Sequence, residues 1–290
     1  MFKEWLDDPQ SLEIVNHYSE LANLDLIYLG TKSDTVEITD TKNTQPLLTT
    51  LSLLCASRLK IPNISKVIFA GHSVGEFSAC ALAGFFTFED AIKLVSTRGF
   101  AMAQAASENQ ATGMAAVLGG DKDTNIKRIK ELELVAANVN SDSQIIASGL
   151  NSNIDELIAN PPAGTKIRKL DVSGAFHSIY MKPAEALLTT EFEKISLNVP
   201  KSIFISNKDG NIVSDPQELK SRLVSQISSP VRWDLCQTKF VELGVTGIIE
   251  LAPAGVLSGI AKRQISNVET FAIKSPQDIE LANKFIEKHS

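Results

Sequence analysis

Cysteine is scarce and scattered: Cys55, Cys80 and Cys236 are odd in number, widely spaced and set among apolar residues. They read as reduced core thiols, offering neither a disulfide framework nor metal-ligand spacing. The four histidines, His17, His72, His177 and His289, are equally unclustered, so no metal site is expected. There is no Lys/Arg block with interleaved aromatics, and the net charge of -6 is mild. Nucleic-acid and other polyanion binding is therefore not expected. Long apolar runs are missing too: the best candidate, Gly244 to Ala261, contains Glu250 and Pro253 and does not read as a membrane span. The opening Met1-Phe2-Lys3-Glu4-Trp5-Leu6-Asp7-Asp8 lacks the basic start and apolar core of a signal peptide. No internal repeat, low-complexity tract or Gly-rich phosphate loop occurs. These absences leave a cytoplasmic globular protein, and 290 residues suffice for one large domain or a domain with a subdomain.

What is present centres on Gly71-His72-Ser73-Val74-Gly75, with Glu76 next in the chain. Before it, Lys66-Val67-Ile68-Phe69-Ala70 reads as a buried parallel strand, and after it Ser78-Ala79-Cys80-Ala81-Leu82-Ala83 reads as a helix of small residues. A serine between two glycines at a strand-to-helix turn is a nucleophile elbow. The glycines permit a sharp bend, and the helix N-terminus favours developing negative charge near the serine oxygen.

Upstream, residues 11–29 read as a helix running into the apolar Leu24 to Leu29, residues 30–44 as a polar surface loop, and Gln45 to Lys60 as a helix. Downstream, a helix runs from about Phe88 to Ala106 with Ala91, Leu94, Val95, Met102 and Ala105 on its apolar face. Arg98 falls on that face, where an unpaired charge is costly. Two readings are open: a buried salt bridge with Glu76, or a guanidinium held ready for a substrate carboxylate.

From Thr112 the order becomes strand (Gly113 to Leu118), helix (Asp123 to Glu133), strands (Val135 to Val139 and Gln144 to Ser148), helix (Ile154 to Ala159) and strand (Lys166 to Val172). That is the split βαβ, ferredoxin-like unit. Residues 110–173 are accordingly read as a small subdomain inserted into a large α/β domain formed by 1–109 and 174–290, with a cleft between the two. The remaining segments return to α/β order, including strands at Ile203 to Ser206, Gly247 to Leu251 and Thr270 to Ile273. His177 sits where the chain leaves the insert. His72 is expected to point away from its neighbour Ser73, His289 is penultimate and His17 lies in a polar helix, so His177 is the best candidate base for the serine. The helix before Ser228-Ser229-Pro230 must end there, which leaves the carbonyls of its last turn, with Gln226, able to accept a histidine N–H.

GHSVGE, STRGFAMA, TGMAAVLG, ANVNSDSQIIASG, GAFHS with MKPA, VSQISSPVRW and ELAPAGVLSGIAKR occur in that order. Together they resemble the malonyl-CoA:acyl-carrier-protein transacylases of bacterial fatty acid synthesis, over nearly the whole chain. The resemblance implies an α/β-hydrolase-like large domain with a parallel sheet and the inserted ferredoxin-like subdomain. It implies Ser73 as nucleophile, His177 as general base, the Gln226 backbone carbonyl as the orienter of that histidine, and Arg98 as the ligand of the malonyl carboxylate. Val74 would give an oxyanion-hole N–H. Val74 and Phe176 match the pattern that goes with malonyl over methylmalonyl, because a filled pocket leaves little room for an extra methyl. The partners implied are malonyl-CoA and acyl carrier protein, met by a monomer that uses no cofactor. One departure stands out: the family usually opens with a strand and a GQGSQ-like loop that supplies the other oxyanion donor. Here the residues from Met1 to Leu6 resemble the segment on the C-terminal side of that loop. A carrier-protein-binding module and a serine hydrolase are the rival readings. The hydrolase is disfavoured by a mid-chain histidine and by an Arg98 that ester hydrolysis does not require.

Overall fold

A computed structural model describes residues 1–109 and 111–290; residue 110, where the insert is expected to begin, lies outside the described residues. The chain starts with helices at Pro9–Ala22, Leu26–Thr31, Thr35–Thr39 and Thr41–Ala56. The surface loop expected over 30–44 is therefore helical for most of its length. Asp34 and Asp40 within it, like Asp25 just before it, are caps, accepting the backbone N–H groups of Glu37, Lys42 and Tyr28 respectively. Asp at such positions serves a helix start as readily as a loop, which is why composition alone misleads there. The helix expected ahead of the apolar run Leu24 to Leu29 is Pro9–Ala22, closed at Asn23, whose φ of 52° is left-handed, and the run itself enters the helix Leu26–Thr31. Thr41–Ala56 buries Leu47, Leu51, Leu54 and Cys55, as their helical spacing requires.

The strands among the described residues are β1 (Ile68–Ala70), β2 (Thr112–Gly119), β3 (Val135–Ser141), β4 (Gln144–Leu150), β5 (Thr165–Lys169), β6 (Ile203–Ile205), β7 (Ile212–Val213), β8 (Gly247–Glu250) and β9 (Glu269–Ala272). They form sheets ordered β1-β6-β7, β3-β4-β2-β5 and β8-β9. β1 and β6 are parallel, with Phe69 opposite Phe204, and so are β8 and β9, with Ile249 opposite Phe271. Alternate residues of these strands serve two layers. Ile68, Ala70, Ile203 and Ile248 pack with Trp233, Cys236, Phe240 and Ile260, while Phe69, Ile249 and Phe271 pack against the main core with Phe204. The strand before Ser73 is shorter than expected and half-buried rather than buried. Among the described residues it has a ladder with β6 only.

The four-stranded sheet is antiparallel throughout, with helices Lys122–Glu131 and Asn151–Ala159 packed on one face. Ala115, Val117, Ile145 and Ala147 meet Ile129, Ile154 and Leu157 there in a core of its own. Its outer strand β3 is joined to the chain ahead of helix Trp233–Glu242 by two backbone bonds, Val139 N–H to Val231 O (2.9 Å) and Val231 N–H to Ala137 O (2.8 Å). This tie fixes the sheet beside the C-terminal ends of β1 and β6. No described helix is long and apolar enough to cross a membrane.

Candidate active site

The bend after β1 is made by Gly71 and by Ser73 itself. A Cβ on Gly71 would lie 2.0 Å from the carbonyl carbon and oxygen of Gly75, so only glycine fits. Gly75 is different, since a Cβ there meets nothing within 4 Å. The left-handed residue is Ser73, with φ of 52°, a conformation that costs a non-glycine residue about 1–3 kcal/mol. Asn207, just beyond β6 and fully buried, holds it. Asn207 Oδ1 accepts the Ser73 N–H at 2.8 Å and Nδ2 donates to the Gly71 carbonyl at 2.6 Å. Its own N–H donates to Glu76 Oε1 at 2.6 Å. The helix Gly75–Ala83 then runs inward on Ser78, Ala79, Cys80 and Ala81, all buried. Among the described residues the Val74 N–H at its start has no backbone acceptor.

His177 Nε2 lies 2.7 Å from Ser73 Oγ, and His177 Nδ1 lies 2.8 Å from the Gln226 carbonyl oxygen. A carbonyl only accepts, so Nδ1 carries the proton and Nε2 presents its lone pair to the serine hydroxyl. The ring is 4% exposed, and burial together with the nearby Arg98 charge pushes its pKa down to about 3. The imidazole is thus neutral and able to accept a proton at neutral pH. His177 is also left-handed, with φ of 57°. The helix Pro216–Ser225 gives way to a tight turn at Gln226–Ser228, where the Gln226 carbonyl accepts from the histidine and, at 3.3 Å, from the Ser229 N–H.

Arg98 comes from helix Phe88–Glu108 and is 1% exposed. Its Nη1 donates to Gln45 Oε1 (2.6 Å), and its Nη2 donates to Gln226 Oε1 (2.8 Å) and to Ser73 Oγ (3.2 Å). Its Nε is buried without a partner among the described residues. Burial pushes its pKa down to about 10, which leaves it charged at neutral pH. The direct salt bridge with Glu76 does not form, because the Gln226 amide stands between them: Gln226 Nε2 donates to Glu76 Oε2 and, at 3.1 Å, to the Ser73 carbonyl. Burial raises the Glu76 pKa to about 7.

Ser73, Val74, Arg98, His177 and Gln226 are thus brought together, as the sequence leads one to expect. Phe176, half-buried beside His177, packs on Met114, Ala116, Ala137 and Ile146 of the antiparallel sheet. His72 points away, with Nε2 2.8 Å from Asn140 Oδ1. His17 and His289 lie elsewhere, beside Glu89 and Glu269. No group of three or more metal-binding side chains occurs among the described residues. Sequence reasoning misses Asn207 and Gln45. Gln45 leaves no distinctive signal, since its helix also buries Asn43, Thr49 and Thr50 beside Leu47, Leu51 and Leu54. Asn207 leaves only its place in the topology, just past a strand parallel to β1, where ligand sites of α/β sheets gather.

A half-buried serine bonded to a buried histidine, with a carbonyl on the far ring nitrogen and a buried arginine, is the equipment of an acyl transferase, and the comparisons with known proteins agree. Residues 13–282 match the model of the acyl transferase domain family, and the chain belongs to that family. Within it, the chain is similar to malonyl CoA-acyl carrier protein transacylases. It is 43% identical over 287 residues to the Mycobacterium tuberculosis protein of that name, covering 98% of this chain and 95% of that one. The crystal structure of the M. tuberculosis MCAT superimposes with a TM-score of 0.92 at 41% identity, over 97% of this chain and 94% of the other. A malonyl-transacylase solved in complex with a type II PKS acyl-carrier protein gives 0.90 at 28% identity, over 98% and 94%.

Proposed function

We propose that this protein transfers a malonyl group from malonyl-CoA to the phosphopantetheine thiol of acyl carrier protein through a malonyl ester on Ser73, acting as a cytoplasmic monomer that supplies fatty acid synthesis. The observation that carries the reading is a charged guanidinium, buried and without an ion-pair partner among the described residues, 3.2 Å from a serine oxygen that is itself 2.7 Å from a neutral histidine. Hydrolysis of a plain ester gives such an arginine nothing to do. A donor with a free carboxylate does.

In the first half-reaction Ser73 Oγ attacks the malonyl thioester carbonyl while His177 Nε2 takes the hydroxyl proton. The Gln226 carbonyl, holding Nδ1–H, stabilises the imidazolium that forms. The Val74 N–H, free and at a helix start, donates to the oxyanion. Collapse breaks the C–S bond, and His177 returns the proton to the departing CoA sulfur. In the second half the phosphopantetheine thiol gives its proton to His177 and attacks the ester, and Ser73 regains its proton as it leaves. Arg98 holds the malonyl carboxylate in both halves, and the burial of His177 limits access of water that would hydrolyse the ester. Phe176 fills the acyl pocket against an added methyl. The strand order β3-β4-β2-β5 with two helices on one face supports the ferredoxin-like reading of the insert at 110–173. The parallel pair β1–β6 leading into the elbow supports the α/β-hydrolase-like reading of 1–109 with 174–290.

The test is incubation with malonyl-CoA and then intact-mass measurement. A malonyl adduct on Ser73 that acyl carrier protein then removes is expected. Absence of any adduct would favour a carrier-binding module, and rapid release of free malonate a hydrolase.

A further inference from the structure

We propose that the Gln226 side chain determines acyl specificity, as a neutral spacer that keeps the Glu76 carboxylate off Arg98 and leaves the guanidinium open to a substrate carboxylate. This rests on the reading that Arg98 grips the malonyl carboxylate.

Gln226 serves the site from both ends of its residue. Its main-chain carbonyl holds His177 Nδ1, whereas its side chain faces the opposite way, between two buried ionisable groups. The amide suits both neighbours, with its oxygen accepting from Arg98 and its nitrogen donating to Glu76 and to the Ser73 carbonyl. Glu76 is otherwise occupied by the Asn207 N–H. Every acceptor that Arg98 meets among the described residues, namely Gln45 Oε1, Gln226 Oε1 and Ser73 Oγ, is therefore neutral.

This matters because a buried guanidinium–carboxylate pair is difficult to open. Were Glu76 bonded directly to Arg98, an incoming carboxylate would first have to displace it. With the amide between them, Glu76 is near enough to favour the charged form of Arg98 yet does not occupy its donors. Arg98 Nε has no partner among the described residues, and the weak Nη2 contact with Ser73 Oγ is the one an acyl group on that oxygen would replace. The side chain of residue 226 thus acts on the choice of acyl group, while its carbonyl acts on proton transfer. The two functions are separable by substitution.

The experiment measures kcat/KM for malonyl-CoA and for acetyl-CoA in Arg98→Ala, Gln226→Met and the double variant Glu76→Gln/Gln226→Met. Both donors need Ser73 and His177, so their ratio is insensitive to a general loss of serine reactivity. Gln226→Met is expected to lower the malonyl-to-acetyl ratio about tenfold or more, the scale of one charge-assisted hydrogen bond. Glu76→Gln in the same chain is expected to restore most of it, since no carboxylate then remains to close on Arg98. An unchanged ratio in Gln226→Met, with a lowered one in Arg98→Ala, overturns the spacer and leaves the Arg98 reading standing. An unchanged ratio in Arg98→Ala overturns that reading itself. A lowered ratio that Glu76→Gln does not restore also overturns the spacer, by showing that the amide only steadies Arg98. Should Gln226→Met not fold, Gln226→Glu carries the test: its carboxylate meets Arg98 directly, the same drop is expected, and an unchanged ratio overturns the proposal.

Discussion

The antiparallel sheet and the serine elbow are built by opposite rules. In the sheet, β2 pairs with β4 residue by residue from Thr112 opposite Leu150 to Leu118 opposite Gln144, and backbone groups satisfy one another. At the elbow, β1 has three residues and one ladder partner among the described residues, and the turn is held by side chains from distant parts of the chain. Asn207 clamps Gly71 and Ser73, and Gln226 links Ser73, Glu76 and Arg98. Both residues of the serine–histidine pair are left-handed without being glycine. A ladder tolerates any side chain that fits, because the backbone does the bonding. A turn held by side chains tolerates few changes. The difference separates residues that sustain the fold from residues that aim the chemistry, and substitution can test where that line falls.

The largest expected effect is at the proposed nucleophile. Ser73→Ala should abolish the malonyl adduct and lower kcat by at least about 10⁴-fold, as loss of an activated serine does elsewhere, with little change in thermal stability. Arg98→Ala should come next, losing roughly 10- to 100-fold in kcat/KM for malonyl-CoA and much less for acetyl-CoA. Equal losses for both donors would mean that the guanidinium serves the fold rather than the carboxylate.

The comparison is broken most directly by pairing Asn207→Ala with Ile145→Ala. Asn207→Ala leaves the Ser73 N–H and the Gly71 carbonyl without their partner, at about 1–3 kcal/mol each. It should slow malonylation even well below the melting temperature, because Ser73 is no longer held. Ile145, fully buried between β4 and its helices, should cost about 2–5 kcal/mol when cut to alanine. Its malonylation rate at low temperature should nevertheless stay near that of the unaltered protein. If both variants lose stability and neither loses rate, the elbow is no more specialised than the sheet.

The same contrast explains what is legible in the sequence. The antiparallel sheet can be read almost whole, since its alternation and turns are local. Arg98 is legible because a charge within an apolar stripe stands out in one helix. His177 emerges by elimination among four histidines, whereas the helix stop marks only that carbonyls near Gln226 can accept, and Gln226 as its partner is what the family resemblance implies. Asn207 and Gln45 are not legible as site residues, because each acts on a residue far away in sequence and nothing local marks a buried amide as a clamp. The polar stretch over 30–44 misleads for another reason: capping aspartates and loop aspartates look alike until the N–H groups they accept are known. The half-exposure of β1 is not legible either, since it depends on which strands stand beside it.

Titration gives a smaller effect with a definite sign. His177, pushed from 6.5 down to about 3, refuses a proton that the unfolded chain accepts between those values, so its contribution to stability rises with pH across that window and is lost in acid. Glu76, raised from 4.5 to about 7, keeps a proton that the unfolded chain releases, so its contribution falls as pH rises through its own window. The two oppose each other where the windows overlap. Removing the second with Glu76→Gln should therefore make the variant's melting temperature, relative to the unaltered protein, climb between about pH 5 and pH 7. A flat difference would place the Glu76 pKa near its ordinary value. For activity, the acid limb of kcat/KM should have its midpoint below 6.5, the ordinary histidine value, if His177 is the base that governs it.

The smallest effect lies within the elbow itself, between its two glycines. Gly71→Ala drives a Cβ into the Gly75 carbonyl and should prevent the turn from forming. Gly75 begins the helix Gly75–Ala83, is not among the residues with positive φ, and has open space where a Cβ would stand. Alanine there restricts the unfolded chain without straining the folded one, so Gly75→Ala should raise stability by about 0.4–1 kcal/mol. The measurement is a denaturant titration run beside the malonylation rate. A gain in stability with the rate retained assigns the bend to Gly71 and Ser73 alone. A gain in stability with a slower rate means that the open space beside Gly75 is the path the acyl donor takes to Ser73.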